Sequence, residues 1–257
     1  MTTHHLRTSD IAKAVGVHHN TIRLYEQLGF LPPVPRGDNG YRLFTKLHLD
    51  QARLIRLALC STWLGSDIRR SALAVIYASA KNNLTTALTN ARAHHRLIRD
   101  ERGRAEAAAD VLEHWAQSTA AEDHLKPISI SKAAQLLHTT KDALYNWERN
   151  GMIGVPRDPK SGYRLYGTSE LNRLRVIRTL RQARFSTMSI LRMLHLLDEG
   201  NTDNIRQALG LPVPDDYPPD DTHAYQFYNT DQWLMKLGEI EKSARNMVKL
   251  VKAMTTG

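Results

Sequence analysis

The amino-acid sequence predicts a mainly α-helical protein in which one small basic unit occurs twice. Three observations carry that expectation. The chain matches itself at an offset of 122 residues: Ser9, Ala12, Glu26 and Gly29 meet Ser131, Ala134, Glu148 and Gly151, and Gly40-Tyr41-Arg42-Leu43-Phe44 meets Gly162-Tyr163-Arg164-Leu165-Tyr166. Apolar residues recur at helical spacing, with a sustained four-three alternation between the two copies. Charge is segregated in step with the repeat. Residues 1–78 hold ten Lys/Arg against five Asp/Glu and 127–197 hold twelve against four, whereas 79–126 balance at seven each and 198–257 hold six against ten. Two copies do not make a solenoid, which needs three or more, so they are read as a duplicated domain.

The elements follow in order. Ile11, Ala12 and Val15 give a short helix, closed by Gly16 in a left-handed C-cap. A second short helix runs over 18–28, with Ile22, Tyr25 and Leu28 at helical spacing, and Gly29 ends it. Two short helices joined by a tight turn describe a helix-turn-helix, whose second helix enters the DNA major groove. Next, Asn39-Gly40 is a hairpin-turn signal flanked by Arg36 and Arg42, which makes this segment a wing. Helices over 46–60 and 66–77 complete copy one. Copy two repeats the scheme, with Ser129 and Ser131 as cap candidates, a wing over 157–164, and helices over 169–183 and 187–198. His138 replaces the glycine of the first turn. Between the copies, Leu84, Leu88, Ala91, His95, Ile98, Arg102, Ala105, Ala109, Leu112 and Ala116 form a heptad seam with His95 and Arg102 as polar interruptions, and Gly103 faces solvent. A last helix over 230–254 has its own stripe, Leu234, Leu237, Ala244, Val248 and Val251. The expected organisation is a winged helix-turn-helix domain over 1–78, a connecting helix over 79–126, a second winged helix-turn-helix domain over 127–198, and an acidic Pro/aromatic segment with a pairing helix over 199–257.

Copy one resembles the MerR family of bacterial transcription regulators. The resemblance rests on Ile11-Ala-Lys-Ala-Val-Gly-Val17, Thr21-Ile-Arg-Leu-Tyr-Glu26, Gly29-Phe-Leu31 and Gly40-Tyr-Arg-Leu-Phe44, across about residues 6–76. Copy two is similar to the same pattern more loosely over 128–196, with Leu144-Tyr145-Asn146-Trp147-Glu148 in place of the usual Ile-Arg-x-Tyr-Glu. The resemblance implies that the two long helices pair antiparallel, here within one chain, so that a monomer is its own pseudo-dimer; the plainer alternative is that each helix packs on its own domain. It also implies double-stranded promoter DNA as partner, bending and untwisting of an overlong promoter spacer, RNA polymerase as the beneficiary, and a small-molecule effector in some members.

Candidate DNA contacts in copy one are His18, His19, Asn20, Thr21 and Arg23 on the recognition helix, and Arg36, Tyr41 and Arg42 on the wing. Asn and Arg make bidentate contacts to adenine and guanine edges, while hydroxyls, imidazoles and wing cations hold phosphates. Tyr41 has a core-packing alternative of nearly equal weight. In copy two the candidates are Lys141, Tyr145, Arg157, Lys160, Tyr163 and Arg164, and Trp147 is assigned to the core beside its counterpart Tyr25. Because Arg23 is matched by Tyr145, the expected operator is an imperfect palindrome. Its two recognition helices would enter successive major grooves roughly 34 Å apart.

Net charge +9 and a pI near 9.7 favour a polyanionic partner. Tyr217, Tyr225, Tyr228 and Trp233, among the carboxylates and prolines of 211–231, are candidates to cage an organic cation, against the plainer reading of an acidic linker. Adjacent histidine pairs point to different helix faces and no Cys cluster exists, so no metal and no cofactor is expected. No phosphate loop, nucleophile motif or zinc-hydrolase helix appears, which leaves an enzyme reading without support. A single cysteine, Cys60, excludes an internal disulfide. With no 18-residue apolar run and no signal-peptide pattern at Met1-Thr2-Thr3-His4-His5, the expected location is cytoplasmic, with no membrane partner. Two other functions stay open at this point: an architectural DNA-bending protein without effect on polymerase, and a ligand-sequestering protein with vestigial DNA units.

Overall fold

The structure, a computed structural model, describes residues 5–117, 126–200, 209 and 233–256. The fold is mainly α. Its helices are α1 (Thr8–Val15), α2 (His19–Gln27), α3 (Lys46–Leu59), α4 (Ser66–Ala80), α5 (Leu84–Gln117), α6 (Ile130–Leu136), α7 (Lys141–Arg149), α8 (Thr168–Gln182), α9 (Thr187–Asp198) and α10 (Trp233–Thr256). Among the described residues, extended pairing is confined to isolated bridges, and no helix is long and apolar enough to cross a membrane. The chain divides into two compact units, Met1–Asp100 with Leu237–Gly257, and Glu101–Lys236.

Each winged helix-turn-helix assembles in the same way. Gly16 ends α1 at φ 66°, ψ 44°, and Gly29 follows α2 at φ 69°, both left-handed conformations that glycine adopts without a Cβ clash. In copy two, His138 occupies the Gly16 position at φ 45°, a left-handed residue that carries a side chain. The entering chain pairs antiparallel with the residue after the wing: Leu6 and Phe44 exchange hydrogen bonds at 2.8 and 3.1 Å, Ile128 and Tyr166 at 3.0 and 2.9 Å. Phe44 and Tyr166 are thereby sunk in their respective cores, each 1% exposed. Trp147, like Tyr25, is buried.

The wings depart from a gap-free repeat. In copy one the ladder runs Arg36↔Arg42, with Leu43 N–H donating to Pro35 and Gly37 N–H to Tyr41. In copy two it runs Arg157↔Arg164, with Leu165 N–H donating to Pro156 and Asp158 N–H to Tyr163. Pro35 therefore corresponds to Pro156, so the approach loop of copy two is one residue shorter and its wing tip one longer. Gly154 stands where copy one has Pro32-Pro33, and the two changes cancel before Gly40 and Gly162.

In the first unit, α1, α2, α3 and α4 enclose Ile11, Ile22, Leu54, Ile55 and Val75, and the same core takes Ala87 and Ala91 of α5 with Met247 and Val251 of α10. Further along, His95 Nε2 lies 3.7 Å from Glu241 Oε1. Numbers rise along α5 as they fall along α10, so the two helices meet antiparallel within this unit. The buried line of α5 differs from the expected seam. Ala91, Ile98, Ala105, Ala109 and Leu112 are on it as expected, with Ala108 buried beside Ala109, but the earlier alternate positions are Ala87, His94 and Glu101, while Leu88, His95 and Arg102 are half-buried. Both lines step four and three. They compete because each alternate position offers neighbours of similar kind: Ala87-Leu88, His94-His95, Glu101-Arg102 and Ala108-Ala109. Gly103 faces solvent as expected.

Two buried polar groups on that line have dedicated partners. His94, 1% exposed, lies between Ser71 Oγ at 2.7 Å from Nδ1 and Ser61 Oγ at 3.2 Å from Nε2. Burial pushes its imidazole down to about 4. In the second unit Glu101, 3% exposed, pairs with Arg104 one turn on and with Arg184 Nε at 3.0 Å. A buried carboxylate needs such cations to offset its desolvation.

Candidate nucleic-acid interface

In copy one the chain leaves Gly16 directly into the first turn of α2. His18 is the N-cap, its Nδ1 accepting from Asn20 N–H at 3.3 Å, and its ring lies 3.9 Å from that of His19. Ile22 and Tyr25 face the core, which turns His19, Asn20 and Arg23 outward; Thr21 is half-buried. Partial desolvation, then the neighbouring charges of His18 and Arg23, holds the His19 imidazole below its ordinary value. The wing stands beside this helix. Arg36 Nη1 donates to Gly40 O at 3.0 Å across the turn, and Tyr41 is 73% exposed, which decides against core packing. Between α1, α2 and the wing lies a cleft of about 800 Å³ lined by Arg7, Lys13, His18, His19, Arg23 and Arg42 among others, with no carboxylate in its wall among the described residues. Arg7 and Lys13 were not among the sequence candidates; Arg7 is the N-cap of α1 and Lys13 lies on that helix, so the cleft takes cations from α1 as well as from the recognition helix.

Arg42 is paired within the domain. Its Nε donates to Glu26 Oε2 at 2.7 Å, and Glu26 Oε1 accepts Val34 N–H at 3.0 Å. One carboxylate on the recognition helix thus holds both the approach loop and the wing. Copy two repeats the pair: Arg164 Nε donates to Glu148 Oε2 at 2.6 Å. That hydrogen bond, with the Glu148 charge, raises the Arg164 pKa further above its ordinary value. Arg164 also covers the Tyr145 ring, 4.8 Å from guanidinium carbon to centroid, so Tyr145 is half-buried under a cation.

The other copy-two candidates, Lys141, Arg157, Lys160 and Tyr163, are exposed. Lys141 opens α7, after Thr140 whose hydroxyl accepts from Ala143 N–H at 3.1 Å. At the wing, Arg157 Nη1 donates to Gly162 O at 3.3 Å, and Asp158 accepts the N–H groups of Lys160 and Ser161 at 2.7 and 2.9 Å. Those two backbone donors hold the Asp158 carboxyl below the usual range and shape the tip that presents Lys160 and Tyr163, the latter 76% exposed. The neighbouring cleft, about 640 Å³, is lined by Asp142, Tyr145, Asn146, Glu148, Arg149 and Arg164, two acids against two cations. Copy one's wall is basic, and copy two's is balanced.

Of the four aromatics suggested for an organic cation, Tyr217, Tyr225 and Tyr228 lie outside the described residues. Trp233 is 2% exposed, and its indole N–H donates to Ala183 O at 2.8 Å in the second unit's core. Cys60 is half-buried with its thiol pushed up by burial, unlike a thiolate poised for a soft metal. Among the described residues no group of three or more His, Cys, Asp or Glu is placed to hold a metal ion.

Comparison with known proteins gives a consistent answer for both ends. Residues 7–44 match the MerR family regulatory protein model, and residues 128–197 match the model of the MerR HTH family regulatory protein. The HTH-type transcriptional regulator CueR of Escherichia coli O157:H7 is 42% identical over 53 residues, 21% of this chain and 39% of that protein. A probable heavy metal-dependent transcriptional regulator of Haemophilus influenzae is 38% identical over 71 residues, 28% of this chain and 56% of the relative. The mercuric resistance operon regulatory protein of Bacillus cereus is 36% identical over 50 residues, 20% and 38% of the two chains. The chain thus spans well under two thirds of the curated relatives it matches, and no solved structure matches it significantly. With a recognition helix, a wing and the Glu–Arg pair between them built twice, and a family match at each site, this chain carries two MerR-type helix-turn-helix domains.

Proposed function

We propose that the chain is a non-enzymatic, DNA-binding transcription regulator that occupies one promoter operator as a single-chain pseudo-dimer. The observation that carries this reading is the duplication of one assembly: an exposed recognition helix stapled to an exposed wing by Glu26–Arg42 in copy one and Glu148–Arg164 in copy two. Such assemblies insert the helix in the major groove and lay the wing along phosphates. The antiparallel meeting of α5 and α10 within one unit supports self-pairing, since one chain supplies both helices. Bending and untwisting of the spacer would cost a few kcal/mol, offset by phosphate contacts from both domains. RNA polymerase is then the machine that reads the distortion, and a small-molecule effector would act by biasing it.

The test is footprinting on DNA flanking the gene that encodes this chain, followed by light scattering of the complex on one site. One protein per duplex, with protection on both halves, is the expected result. Two chains per site would end the pseudo-dimer reading, and failure to retain any DNA would end the regulator reading. In vitro transcription from the footprinted promoter separates a regulator from a purely architectural bender.

A further inference from the structure

Resting on that DNA-binding reading, we propose that copy two reads bases through Asp142, Asn146 and Arg149, with Tyr145 withdrawn, so that the two half-sites differ in sequence and not merely in strength. Tyr145 stands at the position of Arg23, yet its ring lies beneath Arg164, which Glu148 anchors at 2.6 Å. A ring held this way braces the wing and does not reach a base edge. The outward stripe of α7 is instead Asp142, Asn146 and Arg149, spaced i, i+4 and i+7, all exposed and opposite the buried Leu144 and Trp147. These three share the wall of the 640 Å³ cleft. Neither Asp142 nor Arg149 makes an ion pair among the described residues, and the Asn146 amide oxygen accepts from Asn150 Nδ2 at 2.5 Å, which orients it.

The chemistry of the stripe sets its preference. A carboxylate only accepts, and suits the amino group of cytosine; an asparagine amide suits adenine; a guanidinium fork suits guanine. The same positions in copy one are Asn20, Leu24 and Gln27, all exposed and all uncharged, and Leu24, 47% exposed, offers an apolar contact for a thymine methyl. Asn20 becomes Asp142, Leu24 becomes Asn146 and Gln27 becomes Arg149 at the 122-residue offset. No stripe position keeps its residue type, so an operator with related halves is not what these two surfaces fit. Asp142 also repels phosphate, which makes the second half-site depend more on its base contacts than on general electrostatic attraction.

The experiment is selection of bound sites from a fully randomised operator library, using the full chain and three variants: Arg149→Lys, Asp142→Asn and Tyr145→Phe. The wild type should yield two unrelated half-site sequences. Arg149→Lys keeps the charge and loses the fork, so it should lower discrimination at one position of one half-site by at least about 5-fold. Asp142→Asn should change the preferred base at a neighbouring position of the same half, and Tyr145→Phe, which keeps the ring under Arg164, should leave both halves unchanged. Matching half-sites in the wild type would overturn the proposal while leaving DNA binding intact. So would a greater loss of preference in Tyr145→Phe than in Arg149→Lys. Enrichment of no sequence at all would overturn the DNA-binding reading itself, and this inference with it.

Discussion

Acid should weaken the first unit through one residue, His94. Both ring nitrogens face serine hydroxyls inside a core where the side chain is 1% exposed, and those hydroxyls also reach the Ala58 and Ile68 carbonyls, so a neutral imidazole needs one serine to exchange its carbonyl for the bare ring nitrogen. The ring titrates near 4 in the fold against 6.5 in the unfolded chain, because burial opposes its charged form. From pH 6.5 downward the unfolded chain takes up a proton that the folded one refuses, so stability falls with pH until the folded ring also protonates near 4. Each pH step inside that window costs up to about 1.4 kcal/mol, which integrates to about 2 kcal/mol lost at pH 5 and about 3 kcal/mol at pH 4. Above pH 7 the residue contributes no pH dependence. The assay is urea unfolding of the wild type and of His94→Gln at pH 7.5, 6 and 5. Glutamine keeps a donor and an acceptor but does not titrate, and carboxylates common to both proteins cancel in the difference. The wild type should lose about 2 kcal/mol more than the variant between pH 7.5 and 5. Parallel losses in the two proteins would refute the assignment of a neutral, buried His94.

Further outcomes follow from the two domains. The half-buried Glu26–Arg42 pair should show a coupling of about 1 kcal/mol in a double-mutant cycle with Glu26→Gln and Arg42→Gln, read as unfolding free energy; no coupling would mean the pair is incidental. Removing that pair together should leave the salt dependence of DNA affinity unchanged, whereas Arg36→Gln should reduce the log–log slope by about 0.9; a similar loss in the double variant would return Arg42 to the phosphates. His138→Gly should stabilise the second unit by about 0.5–1 kcal/mol, since it relieves a side chain at φ 45° at the expense of some unfolded-state entropy. A lower thermal midpoint in that variant would contradict the strain. Trp233→Phe should cost about 1–3 kcal/mol by leaving the Ala183 carbonyl without its donor, and a variant of undiminished stability would contradict that role.

Much of the architecture was legible in the residues alone because it is set by short-range rules. Helix periodicity, left-handed glycines at Gly16 and Gly29, and the turn glycine Gly40 act within a few residues, so the helix-turn-helix, the wing and the duplication could be read without coordinates. The split of cations between the two basic blocks was likewise a property of the chain. What only the tertiary structure decided were choices between near-equivalent neighbours and the selection of partners far apart in sequence. His94 rather than His95, and Glu101 rather than Arg102, turn inward because the core selects the other neighbour of the shared line Ala91, Ile98 and Ala105, and both alternatives have the same four-three step. The wing register of copy two hides a compensating deletion and insertion that hydrogen bonds reveal and an ungapped match conceals. Arg42 and Arg164 looked like free cations because their carboxylate partners, Glu26 and Glu148, lie 16 residues away. The place of Tyr145 under Arg164 was hidden for the same reason, since nothing local announces that a guanidinium from the wing will settle on its ring. Propensity acts along the chain, whereas charge pairing and burial act through space, and the second pair of effects decides which side chains a partner can reach.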